Sequence, residues 1–496
     1  MKNIKNIKKM KICFINPAPR SYITERGHEK TGAYPPLGIL YVMGYLKREG
    51  YDCTLIDQHA TKIPTTQVLE RIKKIDPEII GFNTLTDINH GMRSTFIAKV
   101  IKKWNPNVKI AFGNCHATFN HSRILKKYPF VDICVRGEGE ITFYELVRAL
   151  EKNRDLKNIL GITYRDNGKI IINSDRPLIK NLDDLPFPDR DACKDINYLQ
   201  NYGGFNADYG KFITIQSSRG CTFNCAFCCQ SKLTKRQWRA RSISHVIDEL
   251  EWLESEGYTN LYWVDDNFTN NPRRAIKLFR EIQKNKFDFI WVCDQRVDLV
   301  SDLLLYEMRK AGCRSLAFGI ESANQRILNY FNKGITPKMA IEATKKAKKR
   351  NIDFILGTFI VGAPTETLEE IKKTLVYAQK LEIDFPQFHI YGAIPGTEVW
   401  DNLVREGKID PEKYWENGVK TLVPPLEMVE KEVKNAYFKF LMRPKYILNQ
   451  NLRTLRSIYR WRIILSNLKY ISHYRNFKMI YDFISGETWT HGDKPE

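Results

Sequence analysis

Apolar residues in this chain fall into short dense runs separated by stretches of helical spacing, and the alternation occurs twice. The runs "KICFIN" (11–16), "DCTLID" (52–57), "EIIGFNTLT" (78–86), "VKIAFGN" (108–114) and "VDICVRG" (131–137) have the length and continuity of strands buried on both faces. Between them, "LGILYVMGYLKREG" (37–50) places apolar residues three and four apart and closes on Gly50, and "TTQVLERIKKI" (65–75) repeats the spacing. "EITFYELVRALEK" (140–152) ends the set. Five strands alternating with helices predict an α/β unit over 11–155, a doubly wound, Rossmann-like parallel sheet. Ligands of such sheets sit beyond the carboxyl ends of the strands. The loops at that end are 16–36, 83–91 and 113–119, and the first is long enough to predict a functional role.

Residues 156–205 change character. "GITYRDNGKIIINSDRP" predicts a small hairpin turning at Asn167-Gly168, and the acidic, proline-rich "LDDLPFPDRD" (182–191) predicts a linker. The alternation then restarts. Strand runs are expected at 211–218, 260–266, 289–297, 315–322, 354–362 and 385–396, with helices at 243–256, 272–285, 301–311, 337–350 and 367–381. Six β/α units fit a partial barrel over 206–405, whose active residues belong at the C-terminal ends of its strands. Residues 406–496 read as mostly helical.

Composition narrows this picture. A chain of 496 residues asks for two or three domains. The basic tail "MKNIKNIKKM" (1–10) is followed by no apolar signal region, and no apolar run approaches membrane-spanning length. Together with eleven cysteines, this predicts a cytoplasmic, reducing compartment. The net charge of +21 is spread over the whole chain and predicts a generally cationic surface. The exception is the stretch 433–481, which has no Asp or Glu and interleaves Lys and Arg with aromatics. It has three readings, in order: a solvated helical cap, a membrane-surface helix that also admits a lipid-like substrate, and a nucleic-acid patch.

The densest chemistry lies in "SSRGCTFNCAFCCQSK" (217–232), where Cys221, Cys225 and Cys228 follow C-x-x-x-C-x-x-C just past a predicted strand. Three thiolates on one tight loop suit three corners of an iron–sulfur cubane, leaving the fourth iron open to a small chelating ligand. Structural zinc is the alternative, but it wants four ligands, usually as two separated pairs. Adjacent side chains diverge, so Cys229 reads as a bystander. A zinc-stabilised RNA-binding protein is the rival from another functional class.

The cysteine segment, with Phe227 before its third cysteine, resembles the signature of radical S-adenosylmethionine (SAM) enzymes, and the resemblance runs through 211–405. It implies a [4Fe-4S] cluster on Cys221, Cys225 and Cys228, with SAM contacts at Phe227. "VDDNFTNNPRR" implies further contacts at Asp265, Asp266 and Asn267, "GIES" at Glu321 and Ser322, and "GTFIVGAPTET" at Gly362 and Glu366. Ala363 and Thr365 stand where the family is usually richer in glycine. Arg296 and Asp298 read either as a pair with each other or as SAM contacts. The first unit is similar to B12-binding domains fused to such barrels, a group that includes class B methyltransferases and anaerobic tetrapyrrole cyclases. That similarity implies cobalamin contacts at Thr84, Leu85, Thr86, Gly113, Asn114, His116, Gly137 and Glu138. The D-x-H-x-x-G signature of a lower-face histidine ligand is absent, and Asn114 stands where glycine is common. A hydrogen-bonded loop role for His116 and a core role for His389 are the plainer readings. What the resemblance implies is reductive cleavage of SAM to a 5′-deoxyadenosyl radical and cobalamin-dependent methylation of an unactivated carbon. Radical cyclisation or rearrangement without methyl transfer is the alternative. The expected partners are a small-molecule or lipid-like substrate and a low-potential donor such as flavodoxin or ferredoxin.

Overall fold

A computed structural model describes residues 9–18, 33–84, 88–198, 200–202, 205–207, 210–416, 419–420 and 423–471. The chain forms two units. The first comprises Met1–Glu29, Pro35–Asn197 and Asp410–Asn417; the second comprises Lys30–Tyr34, Tyr198–Ile409 and Gly418–Glu496.

In the first unit the five apolar runs become β1 (Ile12–Asn16), β2 (Cys53–Asp57), β3 (Ile79–Asn83), β4 (Lys109–Gly113) and β5 (Ile133–Val135). They pair in parallel in the order β2-β1-β3-β4-β5. The helices are α1 (Leu37–Arg48), α2 (Thr65–Ile75), α3 (Ile88–Trp104), α4 (Cys115–Lys127) and α5 (Glu140–Glu151). The apolar spacing in α1 buries Ile39, Leu40, Met43 and Leu46. The expected hairpin forms as β6 (Ile162–Asp166) and β7 (Lys169–Ile172), but it is no free linker: β6 pairs antiparallel with β5 and extends the sheet. The proline-rich segment is also docked. Gly44 lets it approach α1, since a Cβ there would lie 2.4 Å from the Phe187 carbonyl oxygen. Lys47 then pairs with Asp189 and Asp191, each at 2.9 Å.

In the second unit β8 (Lys211–Ile215), β9 (Tyr258–Trp263), β10 (Ile290–Arg296), β11 (Cys313–Glu321), β12 (Phe354–Val361) and β13 (Phe385–Ile390) form one parallel sheet in chain order, a half-barrel. Its outer face is covered by α6 (Ile243–Ser255), α7 (Pro272–Lys284), α8 (Asp302–Lys310), α9 (Pro337–Lys349) and α10 (Leu368–Tyr377). Trp263, Trp291, Phe279, Phe318 and Phe359 are the bulk of that core. Alternation along the strands sends Val292, Ala317, Leu356 and Phe385 to the inner face.

The described part of the tail consists of α11 (Leu426–Leu441), α12 (Pro444–Leu455) and α13 (Ile458–Ile471). Val429, Val433, Ala436 and Phe440 of α11 join the outer core, and Tyr459 of α13 joins the inner one with its hydroxyl 2.9 Å from Ser315 Oγ. Helices α12 and α13 therefore cap the half-barrel at the strands' N-terminal ends, opposite the cysteine loop, while α11 packs on the outer layer.

Candidate functional site

The cysteine loop leaves β8 at its C-terminal end, and several neighbours fix its path. Gly220 has φ +92, and a Cβ on it would lie 1.9 Å from the Gln237 carbonyl oxygen, so the sharp turn into Cys221 requires glycine. The Gly220 amide donates to Asp266 Oδ2 at 2.7 Å. Asp265 is wholly enclosed and accepts bonds from the Ser217 amide (3.0 Å), the Ser217 hydroxyl (2.8 Å) and the Ser218 hydroxyl (2.5 Å). Burial raises the Asp265 carboxyl above the usual range, against the pull of those donors.

Cys221, Cys225 and Cys228 carry free, partly exposed thiols. Burial pushes Cys228 up to about 12 and raises Cys221 as well. Two cationic or amide donors face the sulfurs. Asn267 Nδ2 lies 3.9 Å from Cys221 Sγ, and Arg296 Nη1 lies 3.6 Å from Cys225 Sγ. Arg296 also makes a bidentate pair with Asp298, both contacts at 2.9 Å, donates to the Lys333 carbonyl at 2.7 Å, and lies 3.6 Å over the Phe223 ring. Of its two readings, pairing with Asp298 is observed. Among the described residues no three His, Cys, Asp or Glu side chains converge where one metal ion would sit. The thiolates of a cubane belong to separate irons and need not converge. Three sulfurs on one loop with donors aimed at them could hold a cluster. Cys229 stands at the start of the short helix Gln230–Leu233.

The other expected SAM residues gather at the same ends of the strands. Glu321 closes β11 with φ +63, a strained value for a non-glycine, and its carboxylate meets Lys333 Nζ at 2.7 Å in a buried pair. Gly319 makes room for that pair, since a Cβ there would stand 2.8 Å from Glu321 Oε1 and 2.9 Å from Lys333 Nζ. Lys333 also lies 5.6 Å from the Phe227 ring centre. After β12 the chain turns at Gly362 (φ +82), whose amide donates to Glu366 Oε2 at 2.7 Å, with Ala363 adding a bond at 3.1 Å. Burial raises Glu366 to about 7, and its Oε1, like Asn267 Oδ1, is a buried oxygen with no protein partner. Ser322 is fully buried and spends its hydroxyl on Thr374 (3.1 Å) and the Asn324 amide (3.1 Å).

Further along the inner face is a polar recess of which sequence reasoning singles out only His389, as a core residue. Asp294 of β10 is exposed to solvent on the inner face of the sheet and accepts a bond from Tyr262 of β9 at 2.7 Å. Burial raises the Asp294 carboxyl. His389 of β13 is similarly placed; burial lowers its pKa, partly opposed by Glu321, and it is no satisfied core histidine. The Tyr34 ring stands 5.4 Å from Tyr262 and 5.8 Å from Phe212, giving the recess an aromatic wall. The only signal available in the sequence was alternation, which puts 260, 262 and 294 on the inner face.

In the first unit a chain of side-chain hydrogen bonds crosses the carboxyl ends of four neighbouring strands. Asn114 Nδ2 donates to Asn83 (2.7 Å), Asn83 to Asn16 (3.0 Å), and Asn16 to Asp57 (2.9 Å). Asn114, at φ +79, caps α4. Thr84 is buried with its hydroxyl on the Gly113 carbonyl at 2.5 Å; Leu85 and Thr86 lie outside the described residues. Gly137 (φ +70) donates to Thr118 Oγ1 at 3.1 Å, and Glu138 accepts from the Ile179 amide at 2.7 Å. His116 stacks on Trp415 at 5.6 Å and 18°, a residue nearly three hundred positions away that belongs to the same unit. Arg123–Glu412 (3.0 Å) and Lys127–Glu416 hold that segment on α4.

Burial lowers His116 to about 4; it lowers His121 to about 4 too, with Arg136 adding to the effect. The unfolded chain takes up these protons near 6.5, so between about 6.5 and 4 the unfolded state binds more protons. Stability of the first unit is therefore expected to fall as the pH falls through that window and to be insensitive to these groups above it. Calorimetry at pH 7 and pH 5 reads the drop, and His116→Gln is expected to remove about half of it.

Comparisons with known proteins agree with this layout. Residues 215–378 match the Radical SAM superfamily and residues 28–147 match the B12 binding domain. An uncharacterized methyltransferase of Pyrococcus horikoshii is 37% identical over 89% of this chain and 95% of its own length. The anaerobic magnesium-protoporphyrin IX monomethyl ester cyclase of Rubrivivax gelatinosus is 30% identical over 88% of this chain and 78% of its own. Among solved structures, the radical S-adenosylmethionine methyltransferase TsrM from Kitasatospora setae, with cobalamin and a [4Fe-4S] cluster bound, superposes with TM-score 0.64 at 16% identity, covering 80% of this chain and 78% of that one.

Proposed function

The chain belongs to the radical SAM superfamily, in the group whose barrel follows a B12-binding domain, and on that premise we propose that it is a cobalamin-dependent methyltransferase acting on an unactivated carbon of a small molecule. The observation that carries this reading is the triad Cys221, Cys225 and Cys228 with Asn267 and Arg296 turned toward its sulfurs. When bound, the cluster with SAM supplies a 5′-deoxyadenosyl radical and cobalamin supplies a methyl carrier.

The chain's own residues bind, orient and exclude water. Cys221, Cys225 and Cys228 would hold the cluster, and Asn267 and Arg296, which face Cys221 and Cys225, would stabilise negative charge on those sulfurs. Phe227, Glu321, Gly362, Glu366 and Asn267 take the SAM side. Glu366 Oε1 and Asn267 Oδ1 are buried acceptors without protein partners, and a nucleoside ligand's amino groups would satisfy them. Asp265, Asp266 and Ser322 act as positioning residues, because their hydrogen bonds fix the loops that carry the others. Thr84, Gly113, Asn114, Gly137 and Glu138 would line the B12-type site. His116 is neutral and spends its ring face on Trp415, a packing role within the same unit. Asp294, Tyr262 and His389 receive the polar part of the substrate. The cationic chain suits an acidic flavodoxin or ferredoxin as electron donor. Family membership leaves no ground for the zinc-stabilised RNA-binding alternative. A second reading, cyclisation without methyl transfer, is favoured by the similarity to the Rubrivivax gelatinosus cyclase.

The test is anaerobic reconstitution with iron, sulfide and hydroxocobalamin, followed by reduction with SAM. Formation of 5′-deoxyadenosine and a product heavier by one carbon are expected. A product of unchanged carbon count selects the cyclase reading, and a reconstituted cluster that never yields 5′-deoxyadenosine overturns both.

A further inference from the structure

Helices α11–α13 bury one side against the half-barrel and leave the other side apolar and open to solvent. Among the described residues, twelve of the nineteen exposed large apolar side chains fall between Val423 and Leu465. On α12, Leu448, Leu452 and Leu455 stand four and three residues apart and form one stripe, with Leu455 69% exposed. On α13, Ile458, Trp461 and Leu465 form a second, with Ile458 75% exposed. The opposite sides of the same helices carry Tyr446, Thr454, Tyr459 and Arg460, which face the barrel. Two adjoining stripes of this kind exceed the scattered apolar residues of an ordinary surface.

Charge decides what covers them. The acidic residues of these helices, Glu427, Glu430 and Glu432, are confined to the first half of α11; from Val433 to Tyr481 there is no Asp or Glu, and Lys439, Lys445, Arg456 and Arg462 are exposed. A second copy of the chain would bring the same positive charges against these and be repelled. The complement is a surface that is anionic at its face and apolar beneath, which describes an acidic lipid bilayer. Among the described residues no helix is long and apolar enough to cross a membrane, so contact is in the interface plane.

We infer that the outer face of α11–α13 docks this protein on an anionic membrane surface. Its aliphatic stripes and Trp461 enter the headgroup–acyl boundary, and the four basic side chains meet lipid phosphates. The inference is independent of the cofactor assignments.

Sedimentation of the purified full-length chain with phosphatidylcholine vesicles, with and without about 30% phosphatidylglycerol, tests it. Partition onto the anionic vesicles is expected to be about ten-fold higher or more, and to drop several-fold in about 0.5 M salt. Leu455→Glu with Ile458→Glu is expected to lower that partition by about thirty-fold while leaving the melting temperature unchanged, because both side chains are exposed. Quenching of tryptophan fluorescence by brominated lipid is expected to lose a component in Trp461→Phe. Equal partition onto both vesicle types, or none, overturns the inference. So does anionic binding that the double glutamate variant leaves intact, which would reduce the effect to general basicity. A wild-type dimer that the double variant dissociates, without vesicle binding, overturns it too and assigns the face to a second copy.

Discussion

Cys225→Ala is expected to abolish reductive cleavage of SAM, by about a thousand-fold or more, the scale of losing an interaction on which the whole reaction path depends. Three thiols are available to the cluster and nothing nearby stands in reserve. Cys229 sits at the start of the helix Gln230–Leu233, and the remaining cysteines are buried in or beside strands or belong to the first unit. Removing Cys225 also takes away the sulfur that Arg296 Nη1 faces at 3.6 Å, leaving that arginine to Asp298 and the Lys333 carbonyl. Iron and sulfide content after anaerobic reconstitution, with 5′-deoxyadenosine as the activity readout, checks the prediction. Cys229→Ala is the control and is expected to stay within about two-fold of wild type. If Cys225→Ala kept full iron content and turnover, the triad would not be the cluster site.

Arg296→Met separates holding from tuning. It keeps the three thiols, so the cluster should still assemble. The lost cation beside Cys225 should make the bound cluster harder to reduce, a shift that spectroelectrochemistry reads directly.

Both alternations were legible because each strand is a continuous apolar run bounded by a turn residue. β12 is "FILGTFIV" ending at Gly362, and β4 is closed by Gly113 and Asn114. The cysteine loop was legible because its spacing is local. What escaped was long-range. Nothing near Glu321 announces that Lys333 will fold back to meet it, and nothing near His116 points to Trp415. The pattern around 162–172 fixes a hairpin but not the strand it will pair with, which is why an expected linker became a sheet edge. Alternation places Asp294 and His389 on the inner face, yet an apolar-run reading hides single polar residues inside buried strands. Exposure of the α12 and α13 stripes was likewise invisible, because helical spacing gives an apolar face without saying whether a neighbour covers it.

Asp384→Ala is expected to destabilise the second unit by about 3–5 kcal/mol, the cost of breaking a buried ion pair on one side only. Asp384 sits just ahead of β13 with no solvent access, where it meets Arg453 of α12 and, at 3.0 Å, Arg460 of α13. Its Oδ2 accepts from the Ile355 amide at 2.8 Å, and its own carbonyl accepts from Tyr446 at 2.6 Å. Burial alone would raise this carboxyl, but the two guanidiniums hold it below the ordinary range. Its contribution is therefore complete above about pH 4 and lost as the pH falls through the depressed value. With alanine in its place, two largely buried cations keep only neutral acceptors: backbone carbonyls, the Gln450 amide and the Thr454 hydroxyl. An asparagine at this position would retain hydrogen bonds without the charge, so Asp384→Asn should cost less than alanine. Asp384→Leu combined with Arg453→Met and Arg460→Met should recover part of the loss, because none of these three charges is then left buried without its partner. The cysteine loop lies at the other ends of the strands, so iron content at low temperature is expected to survive Asp384→Ala. Thermal unfolding and limited proteolysis within 443–465 should meanwhile change sharply. Equal melting of wild type and Asp384→Ala would mean that α12 and α13 are held by their apolar contacts alone, with Tyr459 rather than the arginines as the anchor.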